Sequence, residues 1–593
     1  MDSARLVFLR SVFLLLLGVL AINLFFCQVI NGQYYLTLSE QNRIRLIPLP
    51  ALRGQIFDAS GNVLAGNRPS YDVSLVYQDF DQNQMDLITK ILNIKKDSVQ
   101  KALERAKLAP FSPVLLESDA AMEEIFRLEE RGPEIKGVYV DIHGRRHYPL
   151  GEAAGHLTGY LGLISQEEYD QGDRMRFLYS DYKGRSGIER VFDDVLRGYH
   201  GGRQIEVNSR GKALKTMSER RPLKGKDVYL TIQGELQKAI YEMIKDKRAV
   251  IGMMDLKNDA VIALVSTPGF DPNAFVTPSR TGERTDYLKS TEKPMLNLAT
   301  HGGFPLGSIF KLVVALGSLQ EGVITPQTNF HCDGTFTLKA GQRPFHCWNA
   351  AGHGSVNLNM AVMQSCNIFF YESGKRLGVD KIAFYARELG LGSAWDLELG
   401  GMFPGLVPDQ KWKLENIGER WYQGETISFA IGQSYLLVSP LQVLRLVATI
   451  AKEGEVAEPH IVDYERTGSV RSPKKHRRAK IDQVYFKKLK EAMKDVVQSP
   501  RGTGRLARVD ELSIAGKTST AQAPTGESHS WFTGFAPYES PEVAIVAFIE
   551  HGGSGGMAAA PLARDALQIW QSLNHKESDA DLARNTGASN ESV

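Results

Sequence analysis

The sequence predicts an α+β protein made of one N-terminal membrane helix, an elongated α+β module and a larger domain in which helices surround an antiparallel sheet. Three observations indicate this order. Residues 11–30 contain no charged side chain, residues 31–219 alternate short strand-like and helical pieces, and residues 220–575 begin and end with strand-like apolar runs. Since helices separate those terminal runs, we expect both ends of the large domain to share one sheet.

The apolar run at residues 11–30 is long enough to cross a bilayer core. Arg5 and Arg10 precede it, which predicts a cytoplasmic tail at residues 1–10 and a periplasmic or extracellular remainder. A cleaved signal peptide is the alternative, but the run exceeds a usual signal core and no Ala-x-Ala-like site follows it. We therefore expect a single-pass protein of the cytoplasmic (inner) membrane.

The composition is that of an ordinary globular protein. The chain has 593 residues, of which 43% are hydrophobic and 23% are charged, so two or more domains are expected. The formal net charge of +2 argues against nucleic acid as a partner.

The region 31–219 has no concentrated set of catalytic side chains, so we interpret it as a pedestal, an interaction or dimerisation module. Its Asp58-x-x-Gly61-Asn62 turn lies between alternating runs and predicts a β-hairpin. Residues 84–107 have helical periodicity, and residues from about 76 to 140 are expected to form a head subdomain. No carboxylate motif of a glycosyltransferase is found before residue 220.

The domain at residues 220–575 contains the strongest strand signals. Apolar runs at 249–255 and 260–265 predict a hairpin, and residues 543–549 predict a strand that leads into a final amphipathic helix. The polar residues 576–593 are expected to be a disordered tail.

A serine and a lysine three residues apart, Ser308 and Lys311, lie on one face of a predicted helix, so the amine can take the hydroxyl proton. Pro305 and Gly307 precede this helix, which places Ser308 at its N-terminus, where backbone N–H groups face developing negative charge. Burial of Lys311 and a second nearby cation would lower its pKa toward that of a useful base. About two Ser-x-x-Lys matches are expected by chance in a chain this long, so the pair alone is weak.

Two further motifs follow in fixed order, Ser365-Cys-Asn367 and Lys517-Thr-Ser-Thr520. Ser365 can pass a proton to a leaving amine, and the Asn367 amide can hold the substrate backbone. Lys517 and Thr518 can fix a carboxylate or a peptide carbonyl. The backbone N–H groups of Ser308 and Thr520 are the expected oxyanion hole. Three such motifs in this order are a strong signal for acyl transfer.

Two partial matches to other sites are rejected. Gly516-Lys517-Thr518 resembles the end of a phosphate-binding loop, but the first glycine of that motif is replaced by Glu511. The run Gly552–Gly556 matches a nucleophile elbow, yet only one helix and a tail remain downstream for the required acid and histidine. We interpret that run as a tight turn.

The chain resembles class B penicillin-binding proteins, and among them most closely penicillin-binding protein 2, the elongation-type transpeptidase. The likeness extends from Arg53 to Leu573 and includes the pedestal segments Arg53-Gly54 and Gly187–Glu189. Further matching segments are Phe270–Phe275, Pro294–Asn297, Gly352–Gly354, Ala430–Gln433, Ser439–Gln442 and Trp531–Ala536.

This resemblance implies a penicillin-binding/β-lactamase-like transpeptidase domain that cross-links peptidoglycan stem peptides of lipid II-derived nascent glycan and is acylated by β-lactams. It implies no cofactor for catalysis. Its implied partners are a RodA-type SEDS glycan polymerase and membrane proteins of the elongation complex. Thr518, Ser519, Thr520 and Trp531 are expected to contact the substrate. Ser519 stands where the family pattern has glycine, so we expect its side chain to narrow or retune the pocket.

Other functions remain open. The chain could be a hydrolase with carboxypeptidase or β-lactamase activity, although no deacylating glutamate is identifiable. It could also be a division- or sporulation-type transpeptidase, or a degenerate scaffold or sensor that binds penicillin. The acceptor stem peptide and the dependence of activity on a partner are not given by the sequence.

Four ligand-type side chains outside the membrane run, Cys332, Cys347, His353 and Cys366, can form a complete tetrahedral set for a structural zinc ion. Cys366 is the middle residue of the second motif, so a metal there would support Ser365 and Asn367 from behind. The alternative is a Cys332–Cys347 disulfide with Cys366 as a buried thiol. The odd number of cysteines outside the membrane favours the metal.

Overall fold

The computed structural model describes residues 3–35, 44–107, 110, 113–132, 134–171, 177–178, 181–208, 213–339, 343–468 and 477–588. Helix α1 (Ser3–Phe25) continues into one turn of π-helix (Phe26–Ile30). The stretch Arg5–Ile30 of this helix is predominantly apolar, exposed on the protein surface and long enough to cross a membrane. The predicted span therefore lies within a single helix, which extends further toward the N-terminus than the uncharged run.

Two sheets form the pedestal. The first joins β1 (Ile44–Leu49), β8 (Gly201–Val207) and β9 (Ala213–Arg220) in antiparallel order. The second contains β2 (Ile56–Phe57), β3 (Val63–Leu75), β4 (Val114–Glu117), β5 (Val138–His147) and β10 (Val228–Tyr229). The turn at Asp58 joins β2 to β3, as the sequence predicts. Strand β10 comes from the start of the large domain, so the pedestal and that domain share a sheet.

The head contains three helices packed on the far half of β3, namely α2 (Met85–Ile91), α3 (Lys96–Lys107) and α4 (Met122–Glu130). Val73, Ile88 and Leu128 lie in one small core there. The helical stretch predicted over residues 84–107 is interrupted, because Asn93 adopts a left-handed conformation with φ of 50°.

Short elements complete the pedestal, and they are α5 (Gly155–Thr158), β6 (Leu161–Leu163), α6 (Gln166–Gln171), β7 (Tyr182–Gly184), α7 (Gly187–Val191) and α8 (Asp193–Leu196). They surround a buried ion cluster. The fully buried Glu189 accepts hydrogen bonds from Arg53 Nε and Arg146 Nε, each at 2.6 Å, and Asp193 accepts one from Arg53 at 2.8 Å. These pairs tie the start of the pedestal to its last helices.

The large domain is built on a five-stranded antiparallel sheet with the order β12-β11-β19-β18-β17. Its strands are β11 (Ala249–Asp255), β12 (Val261–Thr267), β17 (Ala515–Ala521), β18 (His529–Ala536) and β19 (Val543–Ile549). The first strand of the domain, β11, pairs with the last, β19. The predicted sharing of one sheet by both ends of the domain is confirmed.

Helices cover both faces of this sheet. Helices α9 (Gly234–Ile244) and α22 (Ala560–Ala588) pack on one face, and α19 (Pro440–Ala451) packs on the other. The remaining helices are α10 (Asn273–Val276), α11 (Thr281–Lys289), α12 (Leu298–His301), α13 (Lys311–Gln320), α14 (Leu358–Met363), α15 (Asn367–Leu377), α16 (Val379–Glu388), α17 (Gln410–Ile417), α18 (Gln423–Phe429), α20 (Tyr464–Thr467) and α21 (Gln483–Gln498). Four short strands form two pairs, β13 (Phe330–Cys332) with β16 (Gly354–Val356) and β14 (Thr335–Phe336) with β15 (Phe345–His346).

The C-terminal tail differs from the expectation of disorder over residues 576–593. Helix α22 continues to Ala588, and residues 589–593 lie outside the described residues. The segment after Leu573 is polar, but it has no proline and no glycine before Gly587, so it contains no strong helix breaker up to that point.

Candidate active site

Ser308 lies in a 3₁₀ turn (Gly307–Phe310) that leads directly into α13. Gly307 has a φ of +60°, and its N–H donates to the carbonyl oxygen of Gly432 at 2.9 Å. A β-carbon at Gly307 would collide with Ser519 Oγ, so glycine is required on both conformational and steric grounds. The expected position of Ser308 at a helix N-terminus is confirmed.

Two lysines and Ser365 form a buried hydrogen-bonded cluster next to Ser308. Lys311 Nζ donates to the carbonyl oxygen of Ser365 at 2.8 Å, to Asn367 Oδ1 at 2.7 Å and to Ser365 Oγ at 3.2 Å. Lys517 Nζ reaches the same hydroxyl at 3.0 Å. The described hydrogen bonds do not include one between Ser308 Oγ and Lys311 Nζ. The Ser365 hydroxyl thus lies between the two amines.

Both lysines are fully buried, and no described carboxylate forms an ion pair with either. Burial lowers the pKa of Lys311 to about 8. Burial and the charge of Lys311 together hold the pKa of Lys517 well below its usual value. The sequence predicted that both burial and the nearby Lys517 would lower the pKa of Lys311. Burial is the cause for Lys311, whereas the repulsion between the two amines acts on the pKa of Lys517. A neutral amine is therefore available near Ser308 close to neutral pH.

One cavity of about 1080 Å³ brings the predicted residues together. Its lining includes Ser308, Ser365, Asn367, Thr518, Ser519 and Thr520. Lys311 and Lys517 lie directly beneath this lining, where they contact Ser365. No aspartate or glutamate is among the described residues that line the cavity, so its charged groups are cationic.

Ser519 and Trp531 differ from their expected positions. Ser519 is part of the cavity lining, but its hydroxyl is bound within the protein, where it donates to the carbonyl oxygen of Leu306 at 2.8 Å. Trp531 lies opposite Ser519 in β18 and is fully buried, with its ring 4.3 Å from that of Phe548. Because β18 is an interior strand covered by other rings, Trp531 is part of the core and does not face the substrate.

Several cavity residues have no signal in the sequence motifs. Arg343, His346 and Trp348 form one rim, and Arg505 lies beside Thr503 near the third motif. Neither arginine side chain has an ion pair or hydrogen bond within the described part of the chain. An isolated surface arginine has no sequence pattern that would identify it as part of a site.

The glycine run Gly552–Gly556 also reaches the cavity, where Ser554 and Gly556 line it. The N–H of Gly555 donates to Thr520 Oγ1 at 3.1 Å. A β-carbon at Gly555 would collide with the backbone of Ser519, so glycine permits this close approach. The expected tight turn is only partly correct, because Gly555 and Gly556 begin a π-helix (Gly555–Ala559) that leads into α22. The run also supports the strand that carries Thr520.

The four predicted metal ligands form a compact cluster directly behind the second motif. The ligand atoms of Cys332, Cys347, His353 and Cys366 all lie within 4.8 Å of one another. His353 Nδ1 is 3.5 Å from the sulfurs of both Cys332 and Cys347. All four cysteines of the chain lie in the described part and are free, so the alternative disulfide is not formed.

The thiol pKa values of Cys347 and Cys366 are shifted in opposite directions. A hydrogen bond from Cys366 lowers the pKa of Cys347 to about 4, and the N–H of Asn367 also donates to this sulfur, at 3.4 Å. The same hydrogen bond raises the pKa of Cys366, and burial adds to the effect. The cluster is thus connected directly to the backbone of the second motif.

Comparisons with known proteins agree with these features. The penicillin-binding protein dimerisation domain matches residues 48–230, and the penicillin binding protein transpeptidase domain matches residues 249–568. The peptidoglycan D,D-transpeptidase MrdA of Haemophilus influenzae is 30% identical over 94% of this chain and 90% of its own length. The chain belongs to the penicillin-binding protein 2 family. The predicted family and the predicted fold class are confirmed.

Two solved structures have the same overall architecture as the present chain. The complex of penicillin-binding protein 2 with MreC from Helicobacter pylori has a TM-score of 0.74 and 27% identity, covering 89% of this chain and 99% of that one. A structure described as the coordination of polymerization and crosslinking by a peptidoglycan synthase complex also has a TM-score of 0.74, with 29% identity over 95% of this chain and 98% of that one.

Proposed function

We propose that this chain is a peptidoglycan D,D-transpeptidase that cross-links stem peptides through an acyl-enzyme on Ser308. The observation that supports this most is the cavity in which Ser308 meets the hydrogen-bonded group of Lys311, Ser365 and Lys517. The MrdA relative bears the same activity in its name. The reaction needs no cofactor, since an activated serine, a proton relay and an oxyanion hole suffice.

The proposed reaction begins when neutral Lys311 accepts the hydroxyl proton of Ser308. Ser308 Oγ then attacks the carbonyl carbon of the scissile D-Ala-D-Ala bond, and the N–H groups of Ser308 and Thr520 stabilise the oxyanion. Protonated Lys311 returns the proton through Ser365 to the nitrogen of the leaving D-alanine as its bond to the carbonyl carbon breaks. Lys517 and Thr518 bind the terminal carboxylate of that D-alanine. The amine of a second stem peptide then attacks the ester and releases the cross-linked product and free Ser308.

Penicillin labelling tests this assignment directly. Intact-protein mass after treatment should show one adduct per chain, on the peptide that contains Ser308. Ser308→Ala should show none while retaining the melting temperature of the wild type. A label that survives in Ser308→Ala would show that another residue is the nucleophile.

We infer that the protein acts in cell elongation, anchored by α1 with its large domain in the periplasm, together with a RodA-type SEDS glycan polymerase. Support comes from the exposed apolar helix, from the non-catalytic pedestal next to it and from the solved synthase complex. Co-purification from membranes tests the partner. Full-length protein should retain the polymerase, and a variant with α1 replaced by an unrelated membrane helix should lose part of it. Recovery of the same amount of polymerase with the full-length protein, with the α1 replacement and with a variant that lacks residues 44–220 would contradict this role.

We also propose a structural zinc ion bound by Cys332, Cys347, His353 and Cys366. For tetrahedral zinc with metal–sulfur and metal–nitrogen distances of about 2.3 and 2.0 Å, the sulfur and nitrogen atoms should be about 3.5 Å apart. The observed separations of 3.5 Å between His353 Nδ1 and the sulfurs of Cys332 and Cys347 fit that value. The ion would hold Cys347 against the backbone of Asn367 and keep the carbonyl oxygen of His346 near the Asn367 amide, 3.1 Å away.

Elemental analysis of the purified protein should find close to one zinc per chain. Cys366→Ser should lose it, whereas Cys27→Ser, which alters the exposed cysteine of the membrane helix, should retain it. Metal-free wild-type protein with normal penicillin labelling would contradict the zinc site and leave the transpeptidase assignment intact.

A further inference from the structure

The hydroxyl of Ser519 connects the two segments that contain the proposed oxyanion donors. Ser519 Oγ donates to the carbonyl oxygen of Leu306 at 2.8 Å, and both residues are buried. Leu306 precedes Ser308 by two residues, and Ser519 directly precedes Thr520. One hydrogen bond therefore joins the nucleophile turn to the strand that carries the second donor.

Among the described hydrogen bonds, only this one connects the strand to the nucleophile turn. Strand β17 is an edge strand that pairs only with β18, and within the described residues no other hydrogen bond joins it to the turn at 306–310. The turn is held on its other side by the bond from the N–H of Gly307 to Gly432. Without the Ser519 hydroxyl, the separation between turn and strand would depend on packing alone.

The same hydroxyl also fills the space that Gly307 leaves open. A β-carbon at Gly307 would collide with Ser519 Oγ, so the serine oxygen occupies the position beside the glycine where a side chain is missing. The contact is therefore both a hydrogen bond and a spacer. Thr520 Oγ1 also accepts a hydrogen bond from the N–H of Gly555, at 3.1 Å, so contacts at two neighbouring residues hold the strand.

We propose that Ser519 is a positioning residue whose hydroxyl sets the distance between the N–H groups of Ser308 and Thr520 and thereby the rate of acylation. Oxyanion donors act only within about 2.7–3.1 Å of the oxygen, so a small shift of β17 weakens one of the two bonds in the transition state. The inference rests on the proposed function, because it assumes acylation of Ser308.

The test compares Ser519→Ala with Thr533→Val in the full-length protein. Thr533 is a matched control, because its buried hydroxyl also donates at 2.8 Å to a backbone carbonyl, that of Ile545 in the same sheet, but does not reach the nucleophile turn. Stopped-flow measurement with a fluorescent penicillin separates the noncovalent dissociation constant from the acylation rate constant. Melting temperature measures the general cost of losing a buried hydroxyl.

Ser519→Ala should lower the acylation rate constant by about tenfold, less than the 10²–10³ lost when an oxyanion donor is removed, with little change in the dissociation constant. Thr533→Val should lose similar stability but retain its acylation rate. Ser519→Gly, which lacks both hydroxyl and β-carbon, should be as slow as Ser519→Ala.

An unchanged rate in Ser519→Ala, an equal loss in Thr533→Val, or a normal rate in Ser519→Gly would each overturn the proposal. The last result would show that the alanine methyl, and not the missing hydrogen bond, disturbs the turn. Failure of the wild type to be acylated at Ser308 would instead count against the proposed function.

Discussion

The pedestal and the large domain each contain a buried charged cluster, and the two are built on opposite principles. In the pedestal, Glu189 is paired with Arg53 and Arg146. Burial alone would raise the pKa of Glu189, but the charges of the two arginines outweigh it and lower that pKa. In the large domain, Lys311 and Lys517 are buried without a described carboxylate partner, and the pKa of each is lowered.

The difference shows how burial serves structure in one place and chemistry in the other. A compensated cluster keeps its charges at every physiological pH and holds segments together. In an uncompensated cluster the pKa of a buried amine is lowered toward neutral pH, so the amine can accept a proton. Replacing residues in the two clusters should therefore affect different properties, stability in the pedestal and acylation in the large domain.

The largest expected effect is on catalysis. Lys311→Met should lower the rate of penicillin acylation by about 10²–10⁴-fold, because the general base is lost. Its free energy of unfolding should fall by less than about 2 kcal/mol, since removing a buried cation offsets the loss of its hydrogen bonds. Stopped-flow labelling and urea unfolding measure the two quantities. A large loss of unfolding free energy with a nearly normal acylation rate would show that Lys311 serves stability rather than catalysis.

The corresponding change in the pedestal is Glu189→Gln. It should destabilise the protein by about 3–5 kcal/mol, because Arg146 is left buried without its only ion-pair partner among the described residues. Glu168→Gln is the control, since Glu168 pairs with Arg185 and Lys183 at the surface and should cost less than about 1 kcal/mol. Similar unfolding free energies for both variants would show that the buried cluster has no special role.

A smaller effect is expected from the cysteine cluster. If zinc holds Cys347 against Asn367, chelation of the metal should slow acylation by up to about tenfold and leave Ser308 as the labelled residue. Readdition of zinc should restore the rate. Acylation unaffected by complete removal of the metal would separate the cluster from the catalytic group.

The active-site cluster was predictable because its chemistry is contained in short motifs. Ser308 and Lys311 are one helical turn apart, and Lys517 and Thr520 lie on one short strand. The sheet was predictable for a similar reason, since the apolar runs at both ends of the domain are continuous and fully buried. In both cases each motif or strand is continuous in sequence, so its pattern can be recognised in a short segment.

What could not be predicted depends on the orientation of side chains across elements. Trp531 lies in a matching segment, but the register of β18 points its ring into the core. The Ser519 hydroxyl turns toward Leu306 rather than toward the substrate, because Gly307 leaves space there. Arg343 and Arg505 reach the cavity from segments distant in sequence, and nothing in the local pattern of either segment indicates it.

The most direct test of the central claim, that buried Lys311 is the base that activates Ser308, is the pH dependence of the acylation rate constant. The pKa of Lys311 is lowered from the usual lysine value to about 8, so the neutral form, and hence the rate, should rise about tenfold per pH unit below 8 and level off above it. Lys311→Met should lose this dependence. A rate that does not change between pH 6 and 8, or that shows the same rise in Lys311→Met, would contradict the claim.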